Sequence, residues 1–263
     1  MARELDGRTA LVTGGSSGIG ADIARELAER GSAVVLVARR EEKLREIADE
    51  LSSEHDVEAD YVAMDLARRE APRELYDEMA ERGHQIDILV NNAGFGVYGE
   101  FMENDWEREE TMLELDMITP VHLTKLFGAD MVERGWGRMM QVASIGAYQP
   151  SPTYATYSAA KAFLLSWGEA VDYELEGTGV SSTVVSPGVT RTEFFDHVDQ
   201  EQTWYQRMTM MESRTVAAIG VRAMLKKRMS IVPGFFNALA VWMVRFTPRR
   251  LVRWIAYQTM KNE

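Results

Sequence analysis

From Thr9 to Val185, short unbroken apolar runs alternate with helical patterns, and this alternation limits the chain to few folds. Thr9–Thr13, Ala33–Ala38, Val57–Met64, Ile86–Asn91, Arg138–Ala143 and Val180–Val185 read as strands. Most lack polar alternation, as expected of strands covered on both faces. Between them, Ile19–Arg30, Glu41–Leu51, Ala71–Arg82, Trp106–Glu133 (interrupted at Pro120) and Tyr157–Glu176 read as helices. A β-α repeat of this kind predicts an α/β protein with a doubly wound parallel sheet, Rossmann-like. With no linker, repeat or low-complexity tract, one domain is expected over residues 1–263, ending in a helical tail at about 233–263.

Composition removes several classes of function. The net charge of −12 argues against nucleic acid, which needs a basic face. The absence of cysteine excludes disulfides, thiolate chemistry and cysteine–zinc sites, and His55, His84, His122 and His197 show no ligand spacing, so no metal is expected. Met1–Gly7 has no apolar signal region, and the late apolar stretch Phe235–Val244 is too short to span a bilayer. A cytoplasmic protein is the expectation.

The first strand runs into a glycine-rich turn, Thr13–Gly20, and then a helix. Such a turn lets backbone approach a pyrophosphate, and the helix N-terminus supplies free N–H groups. Gly14, Ser16, Ser17, Gly18, Ile19 and Gly20 are therefore candidate cofactor residues. The glycine spacing is G-x-x-x-G-x-G. The second strand ends in Arg39 and Arg40 with no acid to bond a ribose 2′-hydroxyl. A guanidinium there suits a 2′-phosphate, so NADP(H) is expected rather than NAD(H), with Ser16 adding a hydroxyl.

Tyr157 and Lys161 stand four apart, on one helix face. An ammonium beside a phenol favours the phenolate and is expected to lower the tyrosine pKa. Such a tyrosine can give a proton to a ketone oxygen or take one from an alcohol. Ser144 follows a strand, at the carboxyl end of the sheet where ligands bind in such folds, and can hold the substrate oxygen in line with Tyr157.

With these residues in this order, the chain resembles the short-chain dehydrogenase/reductase family from about Leu5 to Val232. The matching pieces are the Thr13–Gly20 turn, Asn91–Gly94, Ser144, Tyr157 with Lys161, and Pro187-Gly188 with Thr192. The resemblance implies hydride transfer from nicotinamide C4 and a Ser–Tyr–Lys site. It implies that Asp65, with Leu66 beside it, meets the adenine, that Asn91 supports the sheet, and that Asn92, Ala93 and Gly94 line the cofactor. Lys161 would bond the nicotinamide ribose, while Pro187, Gly188, Val189 and Thr192 would flank the nicotinamide. Asp116 stands where the family has a catalytic asparagine. That asparagine acts through its backbone carbonyl, and Pro120, four residues on, has no N–H to take it. An aspartate can therefore fill the role, with an altered titration of Lys161 and Tyr157 as the expected consequence.

The resemblance also puts a variable substrate lid at about 190–214, here carrying Phe194, Trp204 and Tyr205. Facing it are Ile145, Tyr148 and Tyr154. This aromatic content suggests a pocket for a bulky lipophilic or aromatic carbonyl or alcohol. The tail has two short amphipathic patterns split by Pro248, followed by Arg249, Arg250 and Arg253. Packing on the domain or a partner subunit is expected of it, and the pattern also allows a helix pair lying on a membrane. The family resemblance implies a homodimer or homotetramer. The residues leave the direction open between carbonyl reduction and alcohol oxidation. A cofactor-binding regulator with little turnover is the competing class, with Asp116 as its support.

Overall fold

A computed structural model describes residues 3–193, 203, 206 and 209–261. The expected alternation is present: β1 (Thr9–Thr13), α1 (Gly18–Glu29), β2 (Ala33–Ala38), α2 (Glu41–His55), β3 (Ala59–Ala63), α3 (Ala71–Glu81) and β4 (Ile88–Asn91). Next come α4 (Trp106–Leu113), α5 (Thr119–Arg134), β5 (Gly137–Val142), α6 (Ala155–Glu174) and β6 (Val180–Val185). The chain then forms β7 (Thr190–Arg191), β8 (Met211–Glu212), α7 (Ser213–Leu225), β9 (Ser230–Ile231), α8 (Phe235–Val244) and α9 (Arg249–Met260).

Seven strands make one sheet in the order β3-β2-β1-β4-β5-β6-β9, every pairing parallel. The order reverses on either side of β1, which pairs β2 through Val12↔Leu36 and β4 through Val12↔Val90. A crevice at the carboxyl ends follows from that reversal. Alternate residues of each strand feed opposite faces. Val12 and Leu36 pack with Ile23, Leu27 and Leu44 under α1 and α2. Leu11 and Val35 pack with Leu75, Phe127 and Met139 under α3 and α5. Both faces are thus apolar, which is why these strands read as continuous runs.

One expectation needs correction, and a second gains detail. The long helix predicted over Trp106–Glu133 is two helices, and the break lies before Pro120 rather than at it. Residues Glu114–Ile118 form a wide π-type turn, in which the Thr119 N–H reaches back to the Glu114 carbonyl. Pro120 sits in the first turn of α5, where its missing N–H costs little. The second concerns the tail. It does pack on the domain, but on the cleft itself, as described below. Among the described residues, no helix is long and apolar enough to cross a membrane.

Candidate active site

The turn after β1 is fixed by side chains of the next strand end. The Thr13 hydroxyl donates to the Val90 carbonyl and accepts from the N–H groups of Asn92 and Ala93, at 3.0–3.1 Å. Asn92 Nδ2 donates back to the Thr13 carbonyl at 2.9 Å. Gly18 opens α1 at φ +56°, and a Cβ there would stand 2.9 Å from Thr192 Cγ2, so only glycine suits this approach. The N-terminus of α1 has no side-chain cap and no acid in its first turn. Its N–H groups and partial positive charge are left to an anionic group.

Arg40, at the start of α2, turns back over this turn. Its Nη2 donates to Ser17 Oγ at 2.9 Å and to Ser16 Oγ at 3.1 Å, and its Nη1 lies 2.8 Å from Glu193. Arg39 is exposed on the cleft wall. Of the two arginines, Arg40 is the one gathered with the serines. Asp65 lies on the same wall and accepts from the Ala67 N–H at 3.1 Å, and Leu66 is buried.

Deeper in, the Ser–Tyr–Lys residues come together. Ser144 leaves β5, caps the 3₁₀ turn Ile145–Tyr148 by accepting from the Gly146 N–H, and hydrogen-bonds the Tyr157 phenol. Lys161, one turn along α6 from Tyr157, is buried with its Nζ 5.7 Å from the tyrosine ring centre. That Nζ donates to the Val142 carbonyl at 3.2 Å and lies 3.2 Å from Asp116 Oδ2. The wide turn carries Asp116 to this spot, and Gly94 leaves room for it: a Cβ at 94 would stand 2.3 Å from Asp116 Oδ1. Asn91, behind the site, donates to Gln141 at 2.9 Å and Thr124 at 3.1 Å, tying β4 to β5 and α5.

The electrostatics differ from the pairwise expectation. Burial pushes the Tyr157 phenol above its ordinary pKa; Lys161 pulls it down, Asp116 pushes it up and the Ser144 hydrogen bond lowers it. The net direction is upward, because the expectation from Lys161 alone omitted burial and the nearby carboxylate. For Lys161, burial works against the ammonium, yet Asp116 and Tyr157 outweigh it and hold the lysine protonated. Burial likewise raises the Asp116 carboxyl while Lys161 opposes it.

These groups line a single cleft of about 1010 Å³. Every described candidate cofactor residue except Gly20 lines it; Gly20 lies in the first turn of α1, too close to the Gly14 carbonyl for a side chain. Asp116 sits just behind the wall, against Lys161. On the substrate side, Ile145 and Tyr154 line the cleft, the Tyr154 ring tilted against Tyr157 and Tyr98 with centroids 5.8 Å and 5.2 Å away. Tyr148 does not. It packs with Ala147 and Trp167 on a small cluster around Leu164, Leu165 and Val184. Phe194, Trp204 and Tyr205 lie outside the described residues.

The opposite wall was not foreseen. It comes from the tail: Ala240, Met243 and Val244 of α8 and Val252, Ile255, Ala256, Thr259 and Met260 of α9. In α9 these positions follow i, i+3, i+4, i+7, i+8, so the apolar stripe was present in the sequence. Thr203 Oγ1 donates to the Thr259 carbonyl at 2.9 Å, joining Thr203 to this wall.

The family model described as short chain dehydrogenase matches residues 8–203. An uncharacterised oxidoreductase of Bacillus subtilis strain 168, YvaG, is 39% identical over 197 residues, which are 73% of this chain and 72% of that protein. A short-chain dehydrogenase from Sphingobium yanoikuyae, solved with NADPH, superimposes with TM-score 0.79 at 27% identity, over 91% of this chain and 94% of that one. The structure of a 7β-hydroxysteroid dehydrogenase superimposes with TM-score 0.85 at 26% identity, over 97% and 98%.

Proposed function

The chain belongs to the short-chain dehydrogenase family, and from that membership we propose that it is an NADPH-dependent carbonyl reductase for bulky lipophilic or aromatic ketones. The observation that carries this reading is Tyr157, with Ser144 and Lys161 beside it, opening onto a cleft with a glycine turn and Arg40 at one end and apolar helix faces at the other. The uncapped, acid-free α1 terminus suits a pyrophosphate, and Arg40 with Ser16 and Ser17 suits a 2′-phosphate. NADPH bound there supplies a hydride. The similarity to a protein solved with NADPH supports the cofactor, and that to a hydroxysteroid dehydrogenase supports a bulky substrate.

On this reading Tyr157 gives its phenolic proton to the carbonyl oxygen, and Ser144 hydrogen-bonds that oxygen and positions it. Lys161 stabilises the phenolate left behind and holds the ribose. Asp116 keeps Lys161 cationic and, through the backbone of the wide turn, takes the place of the family's asparagine. Asp65, Leu66, Asn92, Ala93 and Gly94 line the adenosine side, and Pro187, Gly188, Val189 and Thr192 the nicotinamide side. Ile145, Tyr154 and the inner faces of α8 and α9 hold the substrate. Trp106, Ile118 and Phe163, exposed on or beside α4 and α6, support a homo-oligomer through that face.

A series of ketones of rising size tests the substrate class. The apolar cleft predicts that kcat/KM with NADPH rises at least about tenfold from propanone-sized to aryl or polycyclic ketones, since each methylene buried is worth about 0.8 kcal/mol. A flat series would reject it. A second expectation concerns Asp116→Asn. Removing the carboxylate removes an upward push on both Tyr157 and Lys161. Tyr157 must be protonated to reduce a ketone, so the alkaline limb of the pH–rate profile should move to lower pH. Turnover near neutral pH should stay within a few-fold, because the backbone turn remains. An unmoved profile would mean that the carboxylate does not act on the tyrosine.

A further inference from the structure

Helix α8 is built inside out. Its sequence FFNALAVWMV contains one strongly polar side chain, Asn237, and that is its one buried residue. Asn237 packs on Gly188, and its Nδ2 donates to the Pro233 carbonyl at 3.0 Å. Outward, Phe235 is 76% exposed, Phe236 78% and Trp242 53%, and Phe246 and Trp254 are exposed beside them. The Trp242 and Phe246 rings pack tilted against each other, with centroids 4.7 Å apart. A surface helix in water carries the reverse arrangement.

Charge adds a second, independent observation. From Ser213 to Asn262 there is no aspartate or glutamate, and there are ten lysines and arginines, in a chain of net charge −12. Arg245, Arg249, Arg250 and Arg253 are exposed on and between the same two helices. We infer that the outer face of α8 and α9 seats on an anionic lipid bilayer, aromatic rings in the interface and arginines at the headgroups.

Exposed aromatics with a rim of arginine, on two helices that carry no acid, match such a surface in both polarity and charge. Ten residues of helix cover about 15 Å, too short to span the hydrocarbon core, so the helix lies in the surface plane. A second copy is a poorer occupant. A two-fold contact through this face would set arginines against arginines, with no carboxylate on either helix to pair them. The inner faces of the same helices line the cleft, so the bilayer and the cleft share one wall. This inference does not depend on which ketone the cleft takes.

Flotation of the full-length protein with vesicles tests it. With phosphatidylcholine mixed with phosphatidylglycerol, the protein should float at low salt with a blue-shifted tryptophan emission. It should float much less with phosphatidylcholine alone or at high salt. Phe235→Ser with Trp242→Ser should lower partitioning at least about tenfold. Arg250→Gln and Arg253→Gln should lower it about fivefold each. None of these side chains lines the cleft, so turnover of a small soluble ketone should persist and report an intact fold. A wild-type protein that stays unbound on anionic vesicles at low salt overturns the inference, as does equal flotation with both vesicle types. Flotation unchanged in the Phe235→Ser/Trp242→Ser variant overturns it as well. A dimer split by Trp242→Ser, with no vesicle binding, would assign the face to a second copy instead.

Discussion

Tyr157→Phe should lower ketone turnover by about 10²-fold or more while leaving NADPH affinity within a few-fold. The substitution keeps the ring and its tilted packing on Tyr154 and removes the proton that, on the proposed reading, Ser144 and Lys161 manage. The expected size follows from burial. The carbonyl oxygen gains negative charge where bulk water is a poor substitute donor, and burial with Asp116 nearby keeps the phenol protonated well above neutral pH. The variant should therefore be slow at every pH, whereas a positioning defect would show mainly as a raised KM. Steady-state kinetics beside a fluorescence titration with NADPH check both halves. Turnover near that of wild type would mean that the proton comes from elsewhere.

Arg40→Asp should shift cofactor preference towards NADH by at least about tenfold. A charge-assisted contact is worth roughly 1.5–3 kcal/mol, and the aspartate would repel a 2′-phosphate. Arg40 is partly exposed, which places the effect at the lower end of that range. Glu193 gives the converse test. Its carboxylate occupies one edge of the Arg40 guanidinium at 2.8 Å, where it competes with an incoming phosphate. Glu193→Gln should therefore tighten NADPH and leave NADH unchanged. Dissociation constants for both cofactors check the pair of variants, and a parallel loss of both in Arg40→Asp would place the phosphate elsewhere. Arg39→Asp should do less than Arg40→Asp, because Arg39 is not gathered with the serines.

Most of the sheet was legible because its strands are apolar on both faces. Val180–Val185 matches the predicted span, and β1 and β2 do as well. Apolar flanks misled the reading elsewhere: Val57 and Met64 carry the predicted Val57–Met64 past the observed Ala59–Ala63, and the two-residue β9 is too short and polar to stand out. The grouping of Ser144, Tyr157 and Lys161 was legible because their helix spacing and strand-end position are local properties. Three features were not local. Which of two adjacent arginines turns back depends on how the chain leaves β2 for α2. The upward shift of Tyr157 depends on burial and on a carboxylate forty-one residues earlier. The tail's part in the cleft depends on where its apolar stripe lands, a contact across most of the chain that no periodicity can specify. Tyr148 missed the cleft for a related reason: the 3₁₀ turn after Ser144 directs it to the α6 side.

Isotope transfer tests the central claim most directly. The protein should be given a bulky aryl ketone with NADPH carrying deuterium at the 4R or the 4S position, and the alcohol analysed by mass spectrometry. The account predicts that one of the two labels, and not the other, arrives at the carbinol carbon with wild type, and that Tyr157→Phe abolishes most of the product. Unlabelled alcohol from both cofactors, or no alcohol from any ketone while NADPH binds normally, would contradict it and leave a cofactor-binding protein without this turnover.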